Sequence, residues 1–319
     1  MLRKIIEFIY RVFELKEYNT TIKTEFLAAI TNYFTFLYLI TLVPEIIMDI
    51  FPEVIDKEGK FINDVIVYNG ISAGQMLISL TIAALIASGI ASIAVGIITN
   101  TPLIQGPSLT IATFISYTVC KNFGYSYSQA LFIVFISGVV FFLLSMTGLE
   151  KRLHDIIPDN IKYAVTGGIG MYIVLQGLIK SYIFEKSGNG FLFMNLLNFN
   201  DTHNKTAILT VCGIILIIIL INKHVHGAIF IGKLVCILVA VPLGMTGHIY
   251  ANEVLISPFV FSINMNGLID NTSTKSIVVS LFNIVMIVFV ICIIDIFETI
   301  STTIAMKNFI WLKPKECEN

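Results

Sequence analysis

Two carboxylates stand in the last long apolar run of the chain. Asp295 and Glu298 lie in VICIIDIFETISTTIA, three residues apart, so a helix projects both from one face. Ionisable side chains at membrane depth are costly, face the protein interior and usually mark routes for substrates or protons. Two neighbouring acids also affect each other's titration, which suits a group that takes up and releases a proton. We therefore predict that Asp295 and Glu298 contact a substrate and carry a proton.

The depth of this acidic pair depends on where the membrane ends. The apolar run extends upstream to Ile277, and weakly polar residues continue to Ala305. A helix over that whole stretch places Asp295 about 6 Å from its middle, at a rise of about 1.5 Å per residue. The alternative is a bilayer that ends near Ile294, with both acids at the interface. The lysines that begin at Lys307 mark a later boundary and favour the buried position.

A second polar feature is a break in the segment PLIQGPSLTIATFISYTVCK, which begins at Pro102. The residue before a proline avoids the α region, so Thr101 and Gly106 interrupt a helix. Helix can begin at Pro107 and run to about Cys120, which is about 21 Å and too short to cross the bilayer. Non-helical backbone at membrane depth is tolerated only where protein buries it or where it lines a polar cavity.

Polar groups gather at this break, namely the Gln105 amide and the Ser108 and Thr110 hydroxyls. Half-helices in transporters expose their first amides to a substrate near the bilayer midplane. We predict that Gly106, Ser108 and Thr110 contact the substrate. The alternative is a kinked span in which serine and threonine bond back to their own helix. In the first apolar run, Thr31 can face the same cavity, although hydrogen bonding between helices explains it equally well.

The composition shows that membrane spans must position these residues. Of the 319 residues, 56% are hydrophobic and only 13% are charged, whereas a soluble domain carries about 25% charged residues. The 20 basic residues barely differ in number from the 21 acidic ones, so no basic excess attracts nucleic acid. The five cysteines are scattered and indicate neither a metal site nor a disulfide, and we expect no cofactor. A cytosolic enzyme, a nucleic-acid binder and a disulfide-stapled secreted domain are excluded.

We predict an all-α polytopic membrane protein, because eight apolar segments are candidates for spans once the broken one is counted. In chain order they are 26–48, 73–98, 102–119, 129–149, 163–183, 206–221, 228–245 and 277–305. Basic residues in the short loops favour both termini in the cytoplasm. The predicted organisation is an amphipathic segment at 1–25, seven spans at 26–245, an extracellular connection at 246–276, an eighth span at 277–306 and a tail at 307–319.

Three stretches of the chain, which together run from about Phe13 to Thr303, carry a family resemblance. They are FELKEYNTTIKTEFLAAITNYFTFLYLITLVPEI, TGLEKRLHDIIPDNIKYAVTGGIGMYI and IDIFETIST. They resemble the hypoxanthine/guanine permeases, the AzgA-like branch of the xanthine/uracil/vitamin C permease family. In the second stretch Lys162 falls as in that branch, and in the third the family's acidic pair falls on Asp295 and Glu298.

The resemblance implies both a fold and an activity. The fold has two inverted seven-helix repeats, with the third and tenth spans each split into a short strand and a half-helix. This chain would hold the first repeat and the first helix of the second. The implied activity is secondary active, proton-coupled uptake of purine nucleobases (hypoxanthine, guanine or adenine) at the cell membrane, and not an enzymatic reaction. The two acids would hydrogen-bond the purine N–H groups and couple transport to protons.

Two departures from the family pattern keep other interpretations open. The asparagine that usually follows the break is absent, which leaves base selectivity open. The coupling ion and assembly into a homo-oligomer are left open by the sequence as a whole. After Ala305, MKNFIWLKPKECEN does not resemble the family's continuation, so we expect a truncated chain. The alternatives are a half-transporter, a non-transporting truncated membrane protein, and an anion carrier of the related sulfate-transporter fold, which the two acids disfavour. An intramembrane aspartyl enzyme would need a second buried aspartate, which we do not find.

Overall fold

The computed structural model describes residues 20–51, 62, 65–68, 70–99, 103–148, 152, 156–187, 190–193, 202–225, 227–245 and 274–309. Helices dominate these residues. In chain order they are α1 (Ile22–Met48), α2 (Ala73–Thr99), α3 (Leu109–Thr113) with a π-helical continuation (Phe114–Asn122), α4 (Tyr127–Met146), α5 (Asp159–Lys180), α6 (Thr202–Asn222), α7 (Ala228–Ala240) and α8 (Thr274–Phe309). We call Leu109–Asn122 the half-helix.

Five of the described helices are long and apolar enough to cross a membrane: α1, α2, α4, α6 and α8. The half-helix and α7 are shorter, and α7 has only 13 residues. Large apolar side chains such as Ile90 and Ile93 on α2 are exposed, as expected where lipid rather than water surrounds a helix. The protein is therefore a polytopic, mainly helical membrane protein. The two-repeat arrangement stays a prediction.

Two small hairpins depart from the prediction of an all-α chain. Strand β1 (Ile66–Tyr68) pairs antiparallel with β2 (Ile71–Ser72), and β3 (Phe184–Ser187) pairs antiparallel with β4 (Gly190–Phe193). The first turn contains Gly70 at φ 82°, a left-handed conformation that glycine adopts without steric cost. The Asn-Gly pair in VYNGIS is a strong hairpin signal, and it lies between the predicted spans at 26–48 and 73–98.

The first helix begins earlier than the predicted span at 26–48. The Thr21 hydroxyl accepts a hydrogen bond from the Thr24 amide at 3.3 Å, which caps the helix and starts it at Ile22. Glu25 lies in the first turn, where a negative charge is favourable, and accepts from the Thr20 hydroxyl at 2.7 Å. Most of the predicted amphipathic segment, residues 1–19, lies outside the described residues, as do 246–273 and 310–319.

The chain forms two compact units. Among the described residues, the first unit comprises those within 20–37 and 168–245, and the second comprises those within 38–167 and 274–309. In the second unit, α4, α8 and the half-helix share one apolar core, in which Ile133 and Val119 are fully buried. The remaining buried members are Ile115, Cys120, Ala130, Ile284, Ile287, Val288, Ile291 and Cys292. This core fixes the helix that carries Asp295 beside the half-helix.

In the first unit, α6 and α7 pack closely because glycines stand at their contact. A Cβ on Gly213 would lie 2.5 Å from Cys236 Sγ, and a Cβ on Gly232 would overlap Ile217 Cγ1 and lie 3.0 Å from its Cδ1. Small residues at such contacts let membrane helices approach each other. The α6–α7 pair therefore depends on the absence of a side chain at Gly232.

We expect Gly232→Ala to destabilise the protein by a net of about 1 kcal/mol. Overpacking a fitted contact costs about 1–3 kcal/mol, and the helix propensity of alanine offsets about 1 kcal/mol of this. The matched control is Gly170→Ala on α5, where a Cβ meets nothing within 4 Å and the propensity gain remains alone. The melting temperature, followed by circular dichroism in detergent, should fall for Gly232→Ala and not for Gly170→Ala. Equal melting temperatures would contradict the close α6–α7 contact.

Candidate functional site

The predicted break is present in the described residues. Residues 103–108 are not helical, and Pro102 lies outside the described part. The backbone amide of Gln105 donates to Ser92 Oγ at 2.9 Å, and the Ser92 hydroxyl donates back to the backbone carbonyl of Gln105 at 3.4 Å. The predicted short strand is not formed here, because these backbone groups bond to a side chain of α2 rather than to a neighbouring strand.

The half-helix begins at Leu109, two residues later than predicted from Pro107. Ser108 is its N-cap, with φ −73° and ψ 124°, and the Ser108 side chain accepts from the Ile111 amide at 3.0 Å. Because a serine cap satisfies an amide that the helix cannot, it fixes where the helix starts. Within the described residues no acceptor takes the Ser108 hydroxyl hydrogen, so it can donate to a ligand.

Most of the half-helix is π-helical, which we did not predict. In Phe114–Asn122 the hydrogen bonds are one residue wider than in an α-helix, as in the bond from the Phe123 amide to the Thr118 carbonyl at 3.0 Å. Such π-helical turns are rare in proteins overall, but those that occur are often found at functional sites. Tyr117 on this segment donates to Asp49 Oδ2 at 2.7 Å, and Lys121 lies 5.0 Å from the Tyr117 ring centre. The hydrogen bond from Tyr117 to Asp49 holds the half-helix to the end of α1.

A cavity of about 420 Å³ lies in the second unit beside the break. That volume falls in the range of roughly 300–1,000 Å³ typical of small-molecule sites. Its walls come from α1, the break, the half-helix, α4 and α8. The residues that line it are Val43, Ile47, Gly106, Pro107, Ser108, Ile111, Ala112, Ile115, Tyr127, Leu131, Val134, Ser137, Gly138, Ile291 and Asp295. The surface is mostly apolar, with a few polar groups from separate elements.

The structure separates the two predicted acids. Asp295 lines the cavity and is half-buried. Within the part of the chain that the structure describes, its carboxylate has no hydrogen-bond donor, so both oxygens are available to a ligand. Glu298, about one turn further along α8, is also half-buried but is not among the lining residues. Of the pair, Asp295 is the acid that a molecule in the cavity would meet.

The other predicted site residues also fall into two groups, those that line the cavity and those that do not. Gly106 and Ser108 line the cavity together with Asp295. Thr110 is not among the lining residues, and its carbonyl accepts from the Thr113 hydroxyl at 2.9 Å. Thr31 belongs to the first unit, where its hydroxyl donates to the Leu27 carbonyl at 2.9 Å. Substrate contact by any of these residues stays a prediction.

Sequence reasoning missed the contribution of α4. Tyr127, Leu131, Val134 and Gly138 recur at helical spacing and all line the cavity. Ser137 also lines it, and its hydroxyl donates to the Val134 carbonyl at 2.7 Å. The signal available in the sequence was the adjacent small pair Ser137 and Gly138 inside an otherwise bulky apolar run.

The arrangement suits a small, largely apolar ligand that carries hydrogen-bond donors. A carboxylate and a serine hydroxyl can bind polar edges, and the aliphatic walls can cover the faces of a ring. Among the described residues, no three His, Cys, Asp or Glu side chains are grouped as metal ligands would be.

Comparison with known proteins identifies the family. A profile of the xanthine/uracil permeases, described as a permease family, matches residues 63–318. The guanine/hypoxanthine permease PbuO of Bacillus subtilis is 28% identical over 299 residues, 93% of this chain and 62% of that protein. PbuG of the same organism, also a guanine/hypoxanthine permease, is 28% identical over 243 residues, 73% of this chain and 49% of that protein. The adenine permease AdeQ of Escherichia coli is 24% identical over 225 residues, 70% of this chain and 44% of that protein.

The extent of these matches adds two findings. The chain spans about three fifths or less of the length of these relatives. The family match also includes most residues after Ala305, which we did not expect to resemble the family. The relatives include guanine/hypoxanthine permeases, in agreement with the resemblance seen in the sequence. Because the family match covers most of the chain, the protein belongs to the xanthine/uracil permease family.

Proposed function

We propose that the protein transports purine nucleobases across the membrane and that proton uptake drives the transport. The observation that carries the proposal is the cavity in which Asp295 of α8 lies with Gly106 and Ser108 of the break. Relatives that act on guanine, hypoxanthine and adenine support the choice of substrate. Membership of a permease family favours transport over an enzymatic reaction.

A purine nucleobase fits the chemistry of this cavity. Its ring N–H groups can donate to the ionised Asp295 carboxylate, and hydrogen bonds to a charged acceptor are about twice as strong as neutral ones. The Ser108 hydroxyl can donate to a ring nitrogen or a carbonyl on the same edge. Aliphatic side chains such as Ile111 and Ile291 can cover the two faces of the ring. In this proposal Asp295 selects for N–H donors and the walls select for a flat ring.

The spacing of the two acids supports the proposal of proton coupling. Asp295 and Glu298 lie three residues apart on one helix, so a negative charge on either disfavours a charge on the other. When the pair takes up one proton, one of the two charges is removed and the remaining charge becomes less costly to keep within the membrane. A base that binds at Asp295 is then accompanied by one proton on the acidic pair.

The cavity disfavours the alternative of an anion carrier. A carboxylate that faces the ligand repels sulfate or bicarbonate, and within the described residues no Lys or Arg side chain lines this cavity to offset it. A competition panel distinguishes the two functions. Purines should compete with labelled hypoxanthine, whereas sulfate and bicarbonate should not.

Uptake of radiolabelled hypoxanthine tests the proposal directly. The 319-residue chain is expressed in cells without purine permeases of their own, and its presence in the membrane is checked by surface labelling. We expect accumulation above that of empty cells, and its loss when an uncoupler collapses the proton gradient. Accumulation that the uncoupler leaves unchanged would contradict proton coupling and leave the nucleobase assignment standing.

Binding to the purified chain tests the cavity apart from the transport cycle. Hypoxanthine should raise the melting temperature of the chain in detergent, since a ligand that binds only the folded state stabilises it. Inosine, which is hypoxanthine enlarged by a ribose, is the matched control and should have a smaller effect. The absence of both binding and uptake from a folded, membrane-inserted chain would contradict the proposed function.

A further inference from the structure

A second cavity, lying in the first unit, is an open groove between α6 and α7. Its volume is about 460 Å³, close to that of the cavity beside Asp295, but its walls are almost wholly apolar. On α6 the lining residues recur at helical spacing from Lys205 to Leu216, and on α7 and the turn after it they run from Val235 to Leu243. The single charged residue in the lining is Lys205, at one end.

The groove has the depth of one membrane leaflet. Lys205 and Leu216 are eleven residues apart, which is about 16 Å along a helix. Half of a hydrocarbon core of about 30 Å is about 15 Å. Since α6 is one of the helices apolar and long enough to span, and Lys205 lies near its first residue, the lysine end is near the membrane surface. The Leu216 end then lies near the midplane.

Small residues create the groove. Cys212 and Gly213 stand in its α6 wall and Cys236 in its α7 wall, where larger side chains would fill the space. Cys212 is exposed. Cys236 packs so close to Gly213 that a Cβ built on Gly213 would lie 2.5 Å from the Cys236 sulfur. The depression is therefore built into the packing of the two helices.

We propose that this groove binds one acyl chain of an anionic phospholipid, with the lipid phosphate on the Lys205 ammonium. The acyl chain would lie against the apolar wall from Leu209 to Leu216. The charge decides between lipids: an ammonium at the surface end of an apolar groove complements a headgroup with a net negative charge. Among the described residues no carboxylate pairs with Lys205, so its charge is available. This proposal does not depend on the transported substrate.

Native mass spectrometry of the purified chain tests the proposal, with phosphatidylglycerol compared against phosphatidylcholine of the same acyl chains. We expect a preference for phosphatidylglycerol of about fivefold, the effect of about one basic residue near an anionic headgroup. Lys205→Gln should abolish this preference. The matched control is Lys223→Gln, at the opposite end of α6 and outside the groove, which should keep it.

A second pair of variants tests the acyl site. Cys212→Trp places a large side chain in the groove and should reduce retention of both lipids, whereas Ile214→Trp, exposed on the opposite face of α6, should not. An unchanged lipid preference in Lys205→Gln, or unchanged retention in Cys212→Trp, would overturn the proposal. The proposal would also be overturned if Cys212→Trp abolished dimerisation of the chain and left lipid retention unchanged, because a second copy of the chain would then occupy the groove.

Discussion

Replacement of Asp295 by asparagine is expected to weaken hypoxanthine binding about 100-fold and to reduce uptake to the level of empty cells. Asparagine keeps the size of the side chain but removes the charge and turns one oxygen into a donor. A purine N–H that faced the carboxylate would then lose a charged partner, and removing one partner of such a bond costs about 2–5 kcal/mol. The measurement is the hypoxanthine dissociation constant of the purified chain, together with uptake.

Glu298→Gln provides the contrast, because Glu298 stands about one turn from Asp295 but outside the cavity lining. We expect this variant to bind hypoxanthine and to exchange labelled for unlabelled base, but not to accumulate it along a proton gradient. Asp295→Asn should fail in both measurements. Surface labelling confirms that both variants reach the membrane. Wild-type binding by Asp295→Asn would show that the cavity beside the break is not the substrate site.

A large side chain that projects from α4 into the cavity should weaken hypoxanthine binding about as much as Asp295→Asn does. Gly138 lines the cavity, and a Cβ built on it meets no atom within 4 Å, so a side chain can leave the backbone at this position without a clash at its Cβ. We expect Gly138→Phe to weaken hypoxanthine binding about 100-fold, or roughly 3 kcal/mol, because the ring occupies the volume that the base needs. The fold should be preserved, since phenylalanine favours a helix more than glycine does.

The control for this variant is Gly89→Phe on α2. A Cβ at Gly89 also meets nothing within 4 Å, and Gly89 does not line the cavity. Both variants should melt at or above the wild-type temperature, but only Gly138→Phe should lose the stabilisation that hypoxanthine gives. Retained binding in a folded Gly138→Phe protein would exclude this cavity as the substrate site.

Local physical rules predict much of this protein from its sequence. A composition with 13% charged residues requires a lipid environment, and a proline preceded by glycine at Gly106 ends a regular helix. The cost of charge at membrane depth singles out Asp295 and Glu298 without any structure. The first rule uses only the composition of the chain and the other two act within one segment, so no tertiary contact is needed to apply them.

Other features depend on weaker local signals. The hairpin at Ile66–Ser72 was overlooked although its Asn-Gly turn is a recognised signal. The π-helical turn Phe114–Asn122 has no comparable signal, since its hydrogen bonds differ from those of an α-helix by one residue. Its contact from Tyr117 to Asp49 joins positions 68 residues apart, which no periodicity within one segment can reveal.

What the sequence by itself determined is the set of helices, the break before the half-helix and the presence of two costly acids. Only the tertiary structure decided which of these groups meet. Asp295 and Ser108 are 187 positions apart, and they line one cavity because Ile291, Ile133 and Val119 pack α8, α4 and the half-helix together. The same packing leaves Glu298 outside the lining. Helix faces are chosen by fitting many side chains at once, and that choice is a property of the packed core rather than of any single segment.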